Sequence, residues 1–184
     1  QFFMEFGVVP AEIQEGDNLV SLLTSMFMHG GWAHIIGNMA FLFIFGDNIE
    51  AVMGKVLYIV FYLAGGLAAS FAHILFNLGS DIPSIGASGA IAAIMGAYVV
   101  MFPGSRVRML VFLGFRVGIT QVSALIFLAI WFVTQLLSGV ASLGATSAQT
   151  SGVAFWAHIG GFVFGLVVGV LFRGRAQQMG LEHA

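Results

Sequence analysis

Four side chains in this chain are of the types that attack a carbonyl, and they fall in three separated segments. Ser88 stands in "GASGAIAAIMGAY" at 86–98, a hydroxyl inside a run too apolar to keep one without reason. His158 stands seventy residues later in "AFWAHIGGFVFG" at 154–165. His34 and Asn38 belong to "SMFMHGGWAHIIGNMAFLFIFGDNIEAVMG" at 25–54, spaced i, i+4 and so on one face of a helix. A serine hydroxyl is a poor nucleophile until an adjacent base takes its proton, which makes Ser88 with His158 the candidate pair. His34 and Asn38 are candidate donors to a developing oxyanion, the remaining part of such a set. None of the eight acids, Glu5, Glu12, Glu15, Asp17, Asp47, Glu50, Asp81 and Glu182, falls in the segment that carries His158. Only Asp81 lies near Ser88, and it reads as a solvated loop charge, so the pattern favours a dyad over a triad.

The elements that must position these residues are membrane helices. The chain has 184 residues, 59% hydrophobic and 8% charged, with a mean hydropathy of +1.01, against the roughly 25% charged residues of a soluble domain. Net charge is −2 and the six Lys and Arg are scattered, so nucleic acid is excluded as a partner. With no cysteine, thiolate chemistry and disulfides are excluded too. No H-E-x-x-H and no pair of embedded aspartates is present, so no metal or organic cofactor is expected. The first twenty residues lack the basic start and apolar core of a signal peptide.

A hydrocarbon core of about 30 Å takes roughly 20 helical residues to cross. Five apolar stretches approach that length, near 34–52, 56–78, 87–102, 118–137 and 153–172. They are continuously apolar, not alternating, which argues for helices over membrane strands. Turn-forming stretches separate them: "NLGSDIPSIG" at 77–86, "PGSR" at 103–106 and "SGVASLGATSAQTSG" at 138–152. No repeat or linker marks a second unit, so 1–184 reads as one all-α transmembrane domain, with 1–33 an outer loop region.

Lys55, Arg106, Arg108, Arg116, Arg173 and Arg175 all fall on one side of these spans, which the positive-inside rule makes cytoplasmic. Five crossings then leave the N-terminal segment outside, and a further helix is expected upstream. Counted from the cytoplasmic ends of their own spans, Ser88 and His158 each stand fourteen residues up, roughly 21 Å, and His34 and Asn38 roughly 24 and 18 Å. The four candidates share one depth. Any one of them alone is more simply a helix–helix hydrogen bond. The conjunction at one level on three helices is what points to chemistry. Gly161 and Gly165 after His158, with Gly89, Ala93 and Gly96 after Ser88, thin two helices so that their backbones can approach.

Other residues read more plainly. His29 is expected in a loop, His73 as a structural histidine at the outer end of the second span, Asp47 and Glu50 as fasteners of the inner loop, and Arg106 and Arg108 as topology anchors. Trp131, Phe132 and Phe155 are candidates for the wall of a lateral entrance.

On the three segments quoted, the sequence resembles the rhomboid intramembrane serine proteases, and the resemblance runs from about "FGVVPAEI" at 6–13 onward. It implies six core helices, with "FGVVP" just after the first. It implies the serine of G-x-S-G, Ser88, as nucleophile, the histidine of A-H-x-G-G, His158, as general base, and His34 and Asn38 of H-x-x-x-N in the oxyanion hole. Ala92 stands where some members carry an aromatic residue beneath the histidine, and "GDNLVS" at 16–21 where some carry Trp-Arg. The expected function is cleavage of transmembrane or membrane-anchored protein substrates near the outer face through an acyl-enzyme, with loop 138–152 as a mobile cap. Membrane lipids are the other expected partners. The expected location is a bacterial or archaeal cell membrane, the site opening outward and the C-terminus cytoplasmic. A catalytically silent relative that binds transmembrane helices, or a small transporter with the polar level as its solute site, would use the same helices.

Overall fold

The computed structural model describes residues 1–113, 116–143 and 154–181. Helices α1 (Phe2–Phe6), α2 (Pro10–Glu15) and α3 (Ser21–Thr24), with a 3₁₀ turn at Ser25–Phe27, precede α4 (Trp32–Met53), α5 (Lys55–Phe76) and α6 (Ser88–Met101). A hairpin of β1 (Arg106–Leu113) and β2 (Arg116–Ser123) then leads into α7 (Ala124–Ser142), and α8 (Phe155–Gln178) closes the described chain. Helices α4, α5, α7 and α8 are each long and apolar enough to cross a membrane. The protein is therefore a multi-pass helical bundle.

The third expected span is different in kind. Helix α6 has 14 residues, about 21 Å of rise, too short for a core of about 30 Å. It is also the most enclosed element: every residue from Gly89 to Tyr98 is buried. A helix can be buried all round only if its neighbours come close, and α6 is built of small residues for that purpose. Its partner α8 runs parallel to it, with Gly161, Gly165 and Gly169 set against Gly89, Ala93 and Ala97 in register. A Cβ on Gly161 would fall on the Gly89 carbonyl oxygen, and one on Gly165 on the Ala93 carbonyl oxygen. Each of these glycines thus removes the atom that would hold the backbones apart. Phe45, Ile49, Ile94, Met95, Met101, Phe102 and Leu128 fill the core below this seam.

Two expected boundaries shift. Residues 118–123, read as the start of the fourth span, belong to β2, and α7 begins at Ala124 and runs on to Ser142. The segment is rich in β-branched residues, Val107, Ile119, Thr120 and Val122 among them, which suit a strand, whereas hydropathy alone does not tell a short apolar strand from a helix. Register pairs Arg106 with Ser123 and Met109 with Thr120. At the other end, α8 continues past 172 to Gln178, so Arg173 and Arg175 lie within its last turns, where cations favour the negative helix end.

Residues 1–33 are not one open loop. Val8 and Val9 are buried, and Val8 exchanges both backbone hydrogen bonds with Ser84, at 2.9 and 2.8 Å. Ala11 donates to the Ser80 carbonyl at 3.1 Å and Gly86 to the Ser25 carbonyl at 2.9 Å. These bonds stitch the N-terminal region to residues 80–86, which lead directly into α6.

Candidate active site

Ser88 is the first residue of α6, and His158 lies in the first turn of α8. Because the two helices run parallel with their backbones in contact, both N-termini stand at one level. A serine reaches only one bond beyond its Cβ, so the small-residue seam is what lets these side chains meet: Ser88 Oγ lies 2.7 Å from His158 Nε2. At the start of α6 the backbone N–H groups have no preceding turn to pair with, and the positive end of the helix dipole lies there too.

The other two candidates arrive from α4. The Gly30 N–H donates to His34 Nδ1 at 3.2 Å, so that nitrogen is an acceptor and the neutral ring carries its proton on Nε2. His34 Nε2 turns toward the serine loop: a Cβ placed on Gly86 would lie 2.8 Å from it and 3.5 Å from Ser88 Oγ. Gly86 has a φ of +131°, in the region that only glycine adopts freely. Asn38 is buried, and its Nδ2 amide has no hydrogen-bond partner among the described residues. All four candidates line one cavity of about 370 Å³, whose apolar wall includes Phe41, Met95 and Trp131. Ser88, His34 and His158 are half-buried, sheltered yet reachable.

A further residue belongs to this group, and it is an amide, not an acid. Gln135 of α7 places its Oε1 2.8 Å from His158 Nδ1. A usable signal was present in the sequence, since Trp131 and Gln135 are spaced i, i+4 and share one helix face. The Trp131 ring centroid lies 5.8 Å from that of His158. Trp131 therefore flanks the imidazole from a neighbouring helix, while Ala92 of α6 is fully buried beside Gly161. Of the three aromatics expected at an entrance, Trp131 alone lines the cavity among the described residues. Phe132 stacks on Phe162 with centroids 4.7 Å apart, and Phe155 lines a separate small pocket beside His73 and Asn77.

Three other titratable residues border the group or lie beyond it. His73 is tied into the end of α5, where the Asn77 amide donates to its backbone carbonyl at 2.7 Å. Asp81 is exposed. His29 packs edge-on to His34 with centroids 5.1 Å apart, and burial, then the neighbouring His34, push its pKa below the ordinary 6.5. Loop residues 144–152, part of the expected cap, lie outside the described residues.

A short small-residue helix sheathed by four long apolar ones defines a polytopic helical membrane protein with a polar pocket at the head of its innermost helix. The chain belongs to the Rhomboid family, whose Rhomboid domain matches residues 16–175. It is 29% identical to RHOMBOID-like protein 4 of Arabidopsis thaliana over 163 residues, covering 89% of this chain and 36% of that protein. It is 28% identical to the mitochondrial presenilin-associated rhomboid-like protein of Mus musculus over 154 residues, 79% of this chain and 36% of that one. With the Rhomboid protease GluP of Bacillus subtilis (strain 168) it shares 36% identity over 85 residues, 46% of this chain and 16% of that protein. The chain thus spans about a third of the length of the first two relatives.

Proposed function

We propose that this protein is an intramembrane serine endopeptidase that cleaves transmembrane or membrane-anchored proteins through Ser88 and His158. The observation that carries the reading is the 2.7 Å contact between Ser88 Oγ and His158 Nε2 on the wall of the cavity. Ser88 Oγ attacks the carbonyl carbon of the scissile peptide while its proton passes to His158 Nε2. The negative charge that forms on the carbonyl oxygen is met by Asn38 Nδ2, which has no partner among the described residues, by the His34 Nε2–H and by the first backbone N–H groups of α6. The C–N bond then breaks, His158 returns its proton to the departing amine, and the acyl group stays on Ser88 as an ester. Water attacks the ester, His158 takes the water's proton, and that proton goes back to Ser88 Oγ as the acid leaves.

A membrane substrate fits the setting better than a soluble one. The pocket is walled by helices whose outward faces are apolar, with Ile36, Phe43, Ile126, Ile130 and Leu137 exposed. The clustering of Lys55, Arg106, Arg108, Arg173 and Arg175 at the opposite ends of the helices supports a site toward the outer face of the membrane, with the C-terminus on the cytoplasmic side.

The test is cleavage of a purified transmembrane substrate by the full chain in liposomes. Ser88→Ala and His158→Ala are each expected to lower the rate by at least ~10⁴-fold. Undiminished cleavage by both variants would overturn the assignment. A wild type that neither cleaves nor reacts with a fluorophosphonate, yet captures transmembrane helices, would establish the silent binder.

A further inference from the structure

We propose that Gln135 is a positioning residue for His158: its side-chain oxygen holds the Nδ1 proton of the imidazole and leaves Nε2 bare toward Ser88. The amide oxygen can only accept a hydrogen bond, so the 2.8 Å contact places the proton on Nδ1. A neutral imidazole has one ring proton, and Nε2, 2.7 Å from Ser88 Oγ, is then an acceptor. The opposite ring form would put N–H against the serine hydroxyl, where it cannot take a proton. Both ring nitrogens are thus committed, one to α6 and the other to α7, and Trp131, one turn before Gln135, flanks the ring.

The choice of an amide follows from the surroundings. An ionised carboxylate half-buried among apolar helices carries a desolvation cost, whereas glutamine supplies the same acceptor without charge. As Ser88 gives up its proton the imidazole becomes a cation, and the bond from Nδ1–H to Gln135 becomes charge-assisted and stronger. An interaction that strengthens only as the reaction proceeds acts on kcat more than on KM. That kinetic consequence rests on the peptidase reading, while the protonation of Nδ1 does not.

Two measurements on the full chain in lipid bilayers separate these levels. Nitrogen-15 NMR of the imidazoles, with His158→Ala to assign the signal, is expected to show the Nδ1–H form in wild type and its loss or mixture in Gln135→Leu and Gln135→Met. Cleavage kinetics are expected to show a fall in kcat of about 10- to 100-fold in the same two variants, the range typical when the hydrogen-bond partner that orients a metal-ligating imidazole is removed, with KM nearly unchanged. Gln135→Glu keeps an acceptor oxygen and is expected to keep the Nδ1–H form and most of the rate. An Nε2–H form in wild type, or Gln135→Leu and Gln135→Met that match wild type in both ring form and kcat, would overturn the proposal. Nδ1–H held by Gln135 in a wild type that cleaves nothing would support the positioning contact and remove the peptidase reading.

Discussion

Helices α6 and α7 approach the same imidazole and are built on opposite principles. Of the 14 residues in α6, 11 are buried, and its seam with α8 is a close contact of backbones with no side chain between them. Of the 19 residues in α7 only Ala124, Leu128 and Gly139 are buried, and its outward face carries large apolar side chains. The first arrangement fixes distance: it sets how far apart the Ser88 and His158 backbones stand, with no rotamer to adjust. The second supplies orientation, through the side chains of Gln135 and Trp131 on a helix that packs sparsely. Distance is set by atoms left out of the sequence, orientation by atoms put in.

The comparison breaks most visibly at the seam. Gly165→Leu forces a branched side chain onto the Ala93 backbone, where overpacking costs typically 1–3 kcal/mol or more. The expected result is a lowered unfolding midpoint together with loss of cleavage, because the seam cannot open without separating Ser88 from His158. The matching change on α7, Leu137→Ala at a side chain 66% exposed, is expected to move stability by less than about 0.5 kcal/mol. Equal destabilisation by the two would erase the distinction between the helices.

Next in size is Asn38→Ala, with an expected rate loss of about 10²–10³-fold, as for one oxyanion donor. Because Nδ2 has no partner among the described residues, removing it is expected to leave the unfolding midpoint unchanged or raised, and thermal unfolding beside kinetics reads that split. Gly86→Ala comes third. Its Cβ would press on His34 Nε2 from a φ of +131°, at a cost on the order of 1 kcal/mol or more, with kcat reduced and α6–α8 packing untouched. The smallest effect is at His29. Its pKa is lowered in the folded chain, so the unfolded chain takes up the proton first as pH falls through about 6.5, and the folded state loses stability there. His29→Gln is expected to flatten slightly the pH dependence of the unfolding midpoint between about pH 7.5 and 5.5.

Much of this architecture was legible in the residues. Long uniform apolar runs expose α4, α5 and α8 because hydropathy sums over many positions, and G-x-x-x-G after His158 exposes the seam because only glycine permits backbone contact. What stayed hidden is what hydropathy does not encode. Residues 118–123 of β2 adjoin the apolar run of α7 without a break, so their strand character rests on β-branching and register that no window average records. Helix α6, expected at 87–102, runs from 88 to 101, but its enclosure by protein is not legible, because burial in protein and burial in lipid select similar residues. Gln135 carries no charge to mark it, because the membrane favours a neutral acceptor behind His158.

The central claim is that the imidazole of His158 activates the hydroxyl of Ser88. Labelling with a fluorophosphonate, mapped by mass spectrometry, tests it most directly. A single adduct on Ser88 in wild type, abolished by His158→Ala while the fold persists, is the predicted result; no adduct on Ser88, or one that forms as fast without His158, would contradict it.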